Sequence, residues 1–172
     1  MPHLCRVETV KLPHTSLELL IETPEKSRQL ANQLGSLLAP GHCLALCGPL
    51  GAGKTLFAKA AAEGLGLPFE LLSSPSFAIV QSYESPRGLL SHADFYRMDS
   101  LEQLYMAGVF DFDWAGSISF VEWADKFFSA LPEAFLWLSF VFIEGEPQKR
   151  KLFARAHGEK HQRLLKNWID LS

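Results

Sequence analysis

The stretch Gly48–Thr55, GPLGAGKT, constrains the fold more than any other part of this 172-residue chain. It matches G-x-x-x-x-G-K-[ST] in full, and it lies between the apolar run HCLALC and the alanine-rich run KTLFAKAAAEGL. The first run predicts a short buried strand, the second a helix ended by Gly64 or Gly66. In a strand, glycine-loop and helix sequence of this kind, successive backbone N–H groups turn toward phosphate oxygens and the helix N-terminus adds partial positive charge. Gly48, Pro49, Leu50, Gly51, Ala52, Gly53, Lys54 and Thr55 are therefore the nucleotide-binding candidates. Lys54 is placed to reach the β- and γ-phosphates, and the Thr55 hydroxyl to hold Mg²⁺.

Phosphoryl transfer also needs a carboxylate near the metal and a group that orients the attacking oxygen. Glu122 ends the apolar run ISFVE, and a parallel sheet would put it beside the cradle at the carboxyl edge. Asp94 ends the run preceding it in SHADFYR, with Arg97 three residues on. The hydroxyl-rich segment SSPSF has the composition of a loop that could sense a γ-phosphate. Catalytic candidates are thus Asp94, Glu122 and Lys54, and the metal candidates are Thr55 and Glu122.

The remaining pattern is mixed. Thr23-Pro24 is a capped helix start, followed by Leu30, Leu34, Leu37 and Leu38, so a helix is expected from there to about Leu38. The segment SFAIVQSYESPRGLLSHADFYR predicts a β-hairpin around Ser85-Pro86-Arg87-Gly88, its second strand ending near Asp94. SLEQLYMAGV predicts a short helix and SISFVEW a strand. AFLWLSFVFIEG and RKLFARAHG predict two strands joined by the polar turn EGEPQK, and EKHQRLLKNWID a closing helix whose Leu164, Leu165 and Trp168 face the core. No repeat or linker divides residues 1–172. The expected fold is a single α/β domain of P-loop NTPase type, with a mixed, mainly parallel central sheet flanked by helices and carrying a β-hairpin.

Composition narrows the functional classes. Hydrophobic residues make up 48% and charged residues 20%, enough for a real core. The net charge of -3 argues against a protein that coats DNA or RNA by counterion release. Cys5, Cys43 and Cys47 are odd in number and lack zinc-like spacing, which suits a reducing compartment. MPHLCRVETVK has no signal pattern and AFLWLSFVFI is too short to span a bilayer, so the expected location is the cytoplasm, with no membrane partner. His157 and His161 lie four apart without an apparent third metal ligand, and Lys149, Arg150 and Lys151 read as a solvated turn.

Taken together, these blocks resemble the TsaE family, also called YjeE, the small P-loop ATPase of bacterial tRNA threonylcarbamoyladenosine biosynthesis. The resemblance runs from about Thr23 to Arg150. It is carried by GPLGAGKT, by SSPSFAIVQSYE with HADFYR, by LEQLYMAGVFDF and by FVEWADKF. It implies ATP and Mg²⁺ as ligands, Thr55 and Glu122 as the magnesium-binding pair, Asp94 as important for hydrolysis, and Ser74-Pro75-Ser76 as a switch-like loop. It further implies nucleotide contacts at Thr23, Ser76, Trp123 and Arg150. Two departures stand out: Ser76 replaces the family's usual threonine, and Ala93 its usual aromatic residue. The tail from about Lys151 matches less well.

The resemblance also implies partners, the TsaB and TsaD proteins of the modification complex, with tRNA contacted only indirectly. The resulting expectation is an ATPase, slow by itself, whose nucleotide state is coupled to that complex. A small-molecule or nucleoside kinase is the alternative, since kinases share the cradle, but no arginine-rich lid is evident. A regulatory GTPase would need N-K-x-D for guanine, which the sequence lacks.

Overall fold

A computed structural model describes residues 16–72 and 79–171. The SSPSF segment, with Ser74, Pro75 and Ser76, and Cys5 fall outside the described residues. Along the chain the elements are β1 (Ser16–Ile21), α1 (Pro24–Ser36), β2 (Cys43–Cys47), α2 (Lys54–Gly64), β3 (Val80–Ser85), β4 (Gly88–Asp94), α3 (Leu101–Met106), β5 (Ile118–Glu122), β6 (Phe135–Ile143), β7 (Glu146–His157) and α4 (Glu159–Ile169). Two 3₁₀ segments, Val109–Asp111 and Ala124–Ala130, flank β5.

The strands form one seven-stranded sheet in the order β1-β7-β6-β2-β5-β4-β3. Its middle, β6-β2-β5-β4, is parallel, and its margins are antiparallel, through β7 and β1 on one side and β3 on the other. The mixed α/β fold expected from the sequence is the one observed. Parallel strands are buried on both faces, which explains why CLALC and ISFVE read as continuous apolar runs and are buried throughout. One face carries Leu44, Leu46, Leu90, Phe120, Leu136 and Phe140 against α1, α2 and α4. The other carries Ala45, Ala93, Val121 and Phe135 against α3 and the 3₁₀ segments.

The helices end where their caps direct. The Thr23 hydroxyl accepts the Lys26 amide at 3.2 Å, with proline in the first turn. Gly66, at φ +92, closes α2 and lets the Leu67 amide reach back to Ala62. Helices α1 and α2 cross so closely that a Cβ on Gly35 would overlap the Ala61 carbonyl oxygen. Trp168 of α4 edge-packs on Phe57 and donates its indole N–H to the Leu30 carbonyl at 3.0 Å, tying three helices together.

Two features depart from expectation. Strand β1 has no counterpart in the sequence reading; its alternation of exposed and half-buried residues is that of an edge strand held by β7. The β6–β7 connection is also shorter than EGEPQK, because β7 already begins at Glu146. Pairing jumps from Ile143↔Glu146 to Phe142↔Arg150, so Pro147 lies in a bulge, where its missing N–H costs the ladder nothing.

Candidate functional site

Strand direction gathers the candidates at one edge of the sheet. Strands β1, β2, β4, β5 and β6 run the same way, and β7 runs against them. The ends of β1, β2, β4 and β5 and the start of β7 therefore share an edge. Thr23 follows β1, Gly48 follows β2, Asp94 ends β4, Glu122 ends β5 and Arg150 lies early in β7. Of these, Glu122 reaches the first turn of α2 through Thr55, and Trp123, the residue after β5, reaches it through Lys54.

The loop before α2 is held open by close packing beneath it. Gly48 has φ +135, and a Cβ there would come within 2.5 Å of the Phe140 carbonyl oxygen, so only glycine lets the chain leave β2 against β6. Gly53 occupies the N-cap position of α2 with φ +103 and offers no side-chain cap. The first-turn amides are thus left to face an anion instead of a capping oxygen.

Lys54 opens the helix but is only 4% exposed. Its Nζ donates to the carbonyls of Gly48 at 2.7 Å and Pro49 at 2.9 Å, and lies 3.9 Å above the Trp123 ring. Burial lowers the pKa of this ammonium, while the charges of Glu122, Asp125 and Asp94 act in the opposite sense. Trp123 sits at φ +56, the one positive-φ residue other than glycine among the described residues, and its ring leans on Tyr96 with centroids 4.9 Å apart. Left-handed backbone at a tryptophan is strained, and strain of this kind collects at working sites.

The two metal candidates meet. Thr55 donates its hydroxyl to Glu122 Oε2 at 2.7 Å, and Glu122 is only 1% exposed. A hydroxyl and a carboxylate are hard oxygen donors of the kind Mg²⁺ takes, with the remaining positions left to water and phosphate. Asp94 lies beside Glu122 by strand register. Its amide donates to the Ile79 carbonyl, and its Oδ1 accepts the Tyr96 amide at 2.9 Å, a turn of the chain that fixes the carboxylate at the strand end.

Thr23 and Arg150 stand farther along the same edge. Ile21 pairs with Arg150, and Arg150 with Phe142. The Arg150 guanidinium lies 4.2 Å over the Phe142 ring and donates to the carbonyls of Pro147 and Lys149, so it secures the bulge. The solvated turn expected at Lys149–Lys151 is thus strand instead. His157 and His161 are each engaged elsewhere. His157 ends β7 stacked on Phe135, whereas His161, on α4, accepts the Cys43 amide at 3.0 Å.

One residue that the sequence reading missed belongs to this site. His92, on β4 two positions before Asp94, is fully buried, and its Nε2 lies 2.9 Å from Glu122 Oε1. Strand parity held the signal: in the extended run GLLSHAD, residues 92 and 94 share a face, as Phe120 and Glu122 do on β5.

Known proteins resemble this chain in sequence and fold. The family profile described as threonylcarbamoyl adenosine biosynthesis protein TsaE matches residues 21–152. The tRNA threonylcarbamoyladenosine biosynthesis protein TsaE of Bacillus subtilis is 34% identical over 82% of this chain and 86% of its own. The protein of the same name from Treponema pallidum is 38% identical over 58% of this chain and 73% of its own. The crystal structure of Bacillus subtilis YdiB superposes with a TM-score of 0.72 at 28% identity, covering 94% of this chain and 99% of that one. With the matched stretch running from the end of β1 into β7 and so taking in every element that carries a candidate residue, the chain belongs to the TsaE family of threonylcarbamoyl adenosine biosynthesis proteins.

Proposed function

We propose that this protein binds ATP with Mg²⁺ at the Gly48–Thr55 loop, hydrolyses it, and couples its nucleotide state to the partner complex that makes threonylcarbamoyladenosine in tRNA. The observation that carries the reading is the 2.7 Å hydrogen bond from Thr55 to Glu122, beside the buried Lys54 ammonium. A glycine turn that binds nothing has no use for a carboxylate buried here, since a well-packed apolar side chain would serve the fold as well as, or better than, a buried, partnered carboxyl group.

In this reading the loop amides and Lys54 bind the phosphates, and Thr55 and Glu122 orient the metal. Bound Mg²⁺ would neutralise charge on the phosphate oxygens. Asp94 positions a water at the γ-phosphorus and accepts its proton as the bond to the ADP oxygen breaks. Trp123, Thr23, Ser76 and Arg150 complete the nucleotide contacts, as the family resemblance implies.

Coupling to partners, TsaB and TsaD by family resemblance, is supported by what borders the site. Next to the Asp94 strand end, Ile79, Arg97, Met98 and Met106 line a groove. Beyond it α3 presents Tyr105 and Met106 largely to solvent. Exposed apolar residues grouped beside a site are a common mark of a protein contact. The proposal is tested by phosphate release from the protein alone and with the purified partner pair, together with partner affinity with and without ATP. Coupling between binding events is reciprocal, so ATP-strengthened association must be matched by tighter ATP binding in the presence of the pair, and acceleration of hydrolysis is read separately. Fast turnover unchanged by the pair, with nucleotide-independent association, would overturn the coupled-ATPase reading and reopen the kinase alternative.

A further inference from the structure

Glu122 is held from two sides, and only one of them belongs to the loop. Its Oε2 accepts the Thr55 hydroxyl at 2.7 Å and its Oε1 lies 2.9 Å from His92 Nε2. Both partners of the second contact are buried, at 0% and 1% exposure, under the face that carries Leu90, Phe120 and Leu46. His92 Nδ1 has no hydrogen-bond partner among the described residues.

That pattern assigns the proton. With hydrogen on Nδ1, a buried N–H would go unsatisfied while the Nε2 lone pair faced a carboxylate oxygen. With hydrogen on Nε2, a donor meets an acceptor and only a lone pair is left over, the cheaper of the two outcomes. Each oxygen of Glu122 thereby receives one donor, from β4 on one side and from α2 on the other, and the carboxylate is prevented from rotating. For folding alone, a well-packed apolar pair at this depth would serve as well or better. The polar pair is explained by what it holds in place.

We infer that His92 is a positioning residue for the magnesium-binding pair. Its Nε2–H fixes Glu122 so that the second carboxylate oxygen faces the Thr55 hydroxyl. The inference rests on the reading of Thr55 and Glu122 as that pair. His92 touches neither metal nor nucleotide; it acts through Glu122, as outer partners of metal ligands do elsewhere.

The test compares His92→Asn, whose amide stops short of Oε1, with His92→Gln, whose amide nitrogen can occupy the Nε2 position. His92→Leu serves if the asparagine variant does not fold. Calorimetric titration with ATP across magnesium concentrations, alongside melting curves, separates binding from fold. The expected result is a loss of about 10–100-fold in the magnesium-dependent part of ATP affinity for His92→Asn. Magnesium-free affinity, carried by the loop and Lys54, should stay unchanged, and His92→Gln should recover most of the loss. If variants that melt lower keep the full magnesium dependence, His92 is structural only and the inference falls. If ATP affinity of the unaltered protein ignores magnesium, the reading of Thr55 and Glu122 falls first and takes the inference with it.

Discussion

Thr55 and Glu122 stand 67 residues apart in the chain and meet at 2.7 Å, hydroxyl to carboxylate. The contact joins the first turn of α2 to the end of β5, the strand adjacent to β2 from which the loop departs. It therefore depends on the parallel β2–β5 register, Leu46 opposite Glu122, and any slip of that register would carry the carboxylate away from the loop.

Exchanging the two carboxylates for amides should divide their roles. Glu122→Gln removes the charge facing Thr55 and should weaken magnesium-dependent ATP binding. Asp94→Asn keeps the oxygen that accepts the Tyr96 amide, so the turn survives; binding should hold while hydrolysis drops by about 10²-fold or more. Binding and turnover measured against magnesium concentration check this, and the opposite pattern would exchange the two assignments.

Lys54→Ala should lower ATP affinity by about one to two decades, the worth of a charge-assisted contact of roughly 1.5–3 kcal/mol. The same ammonium also ties down the Gly48 and Pro49 carbonyls, so a modest fall in melting temperature should accompany the loss. Titration calorimetry on the folded variant decides; unchanged affinity would remove Lys54 from the phosphate site.

Gly35→Ala probes the fold away from the site. The added methyl meets the Ala61 carbonyl, so α1 and α2 must separate, at a cost of about 1–3 kcal/mol. Chemical denaturation should show the loss, while the folded fraction keeps its ATP affinity. A variant as stable as the parent would mean the helix crossing is looser than described.

Acid should destabilise the protein through His42 and His161. Burial, with help from the Lys160 charge, brings His42 down to about 4. Burial first, then the neighbouring His42, Lys160 and His157, brings His161 down to about 3. Above the ordinary pKa of 6.5 neither state binds the protons, and this contribution is flat. As pH falls from 6.5 toward 4 and 3 the unfolded chain takes up protons that the folded one refuses, so stability is lost, by up to about 1.4 kcal/mol per pH unit for each group. His42→Asn with His161→Gln keeps acceptors for the Ala39 and Cys43 amides and should flatten the profile. Urea midpoints between pH 7 and 4 test it, and an equally steep double variant would count against these two groups.

Local chemistry made much of the molecule legible. The capped start at Thr23-Pro24, the turn at Pro86-Arg87, the glycine stop after α2 and the apolar face of α4 are each set by residues close in sequence, so the sequence reading located those elements. Strand β1 escaped because a half-exposed edge strand has a weak pattern and needs β7 to exist. The start of β7 escaped because Pro147 reads as a turn until a bulge accommodates it.

The amino-acid sequence alone determined that a glycine loop joins a buried strand to a helix, and which residues at that junction carry a charge or a hydroxyl. Those facts follow from dihedral freedom, periodicity and capping, all settled within a few residues. Only the tertiary structure decided that Glu122 accepts from Thr55 and from His92 together, that Lys54 lies on Trp123, and that Arg150 arrives at the same sheet edge from a strand running the other way. Strand order and direction set those meetings, and they are fixed by burying both faces of one sheet, a condition on the whole chain that no short stretch of it contains.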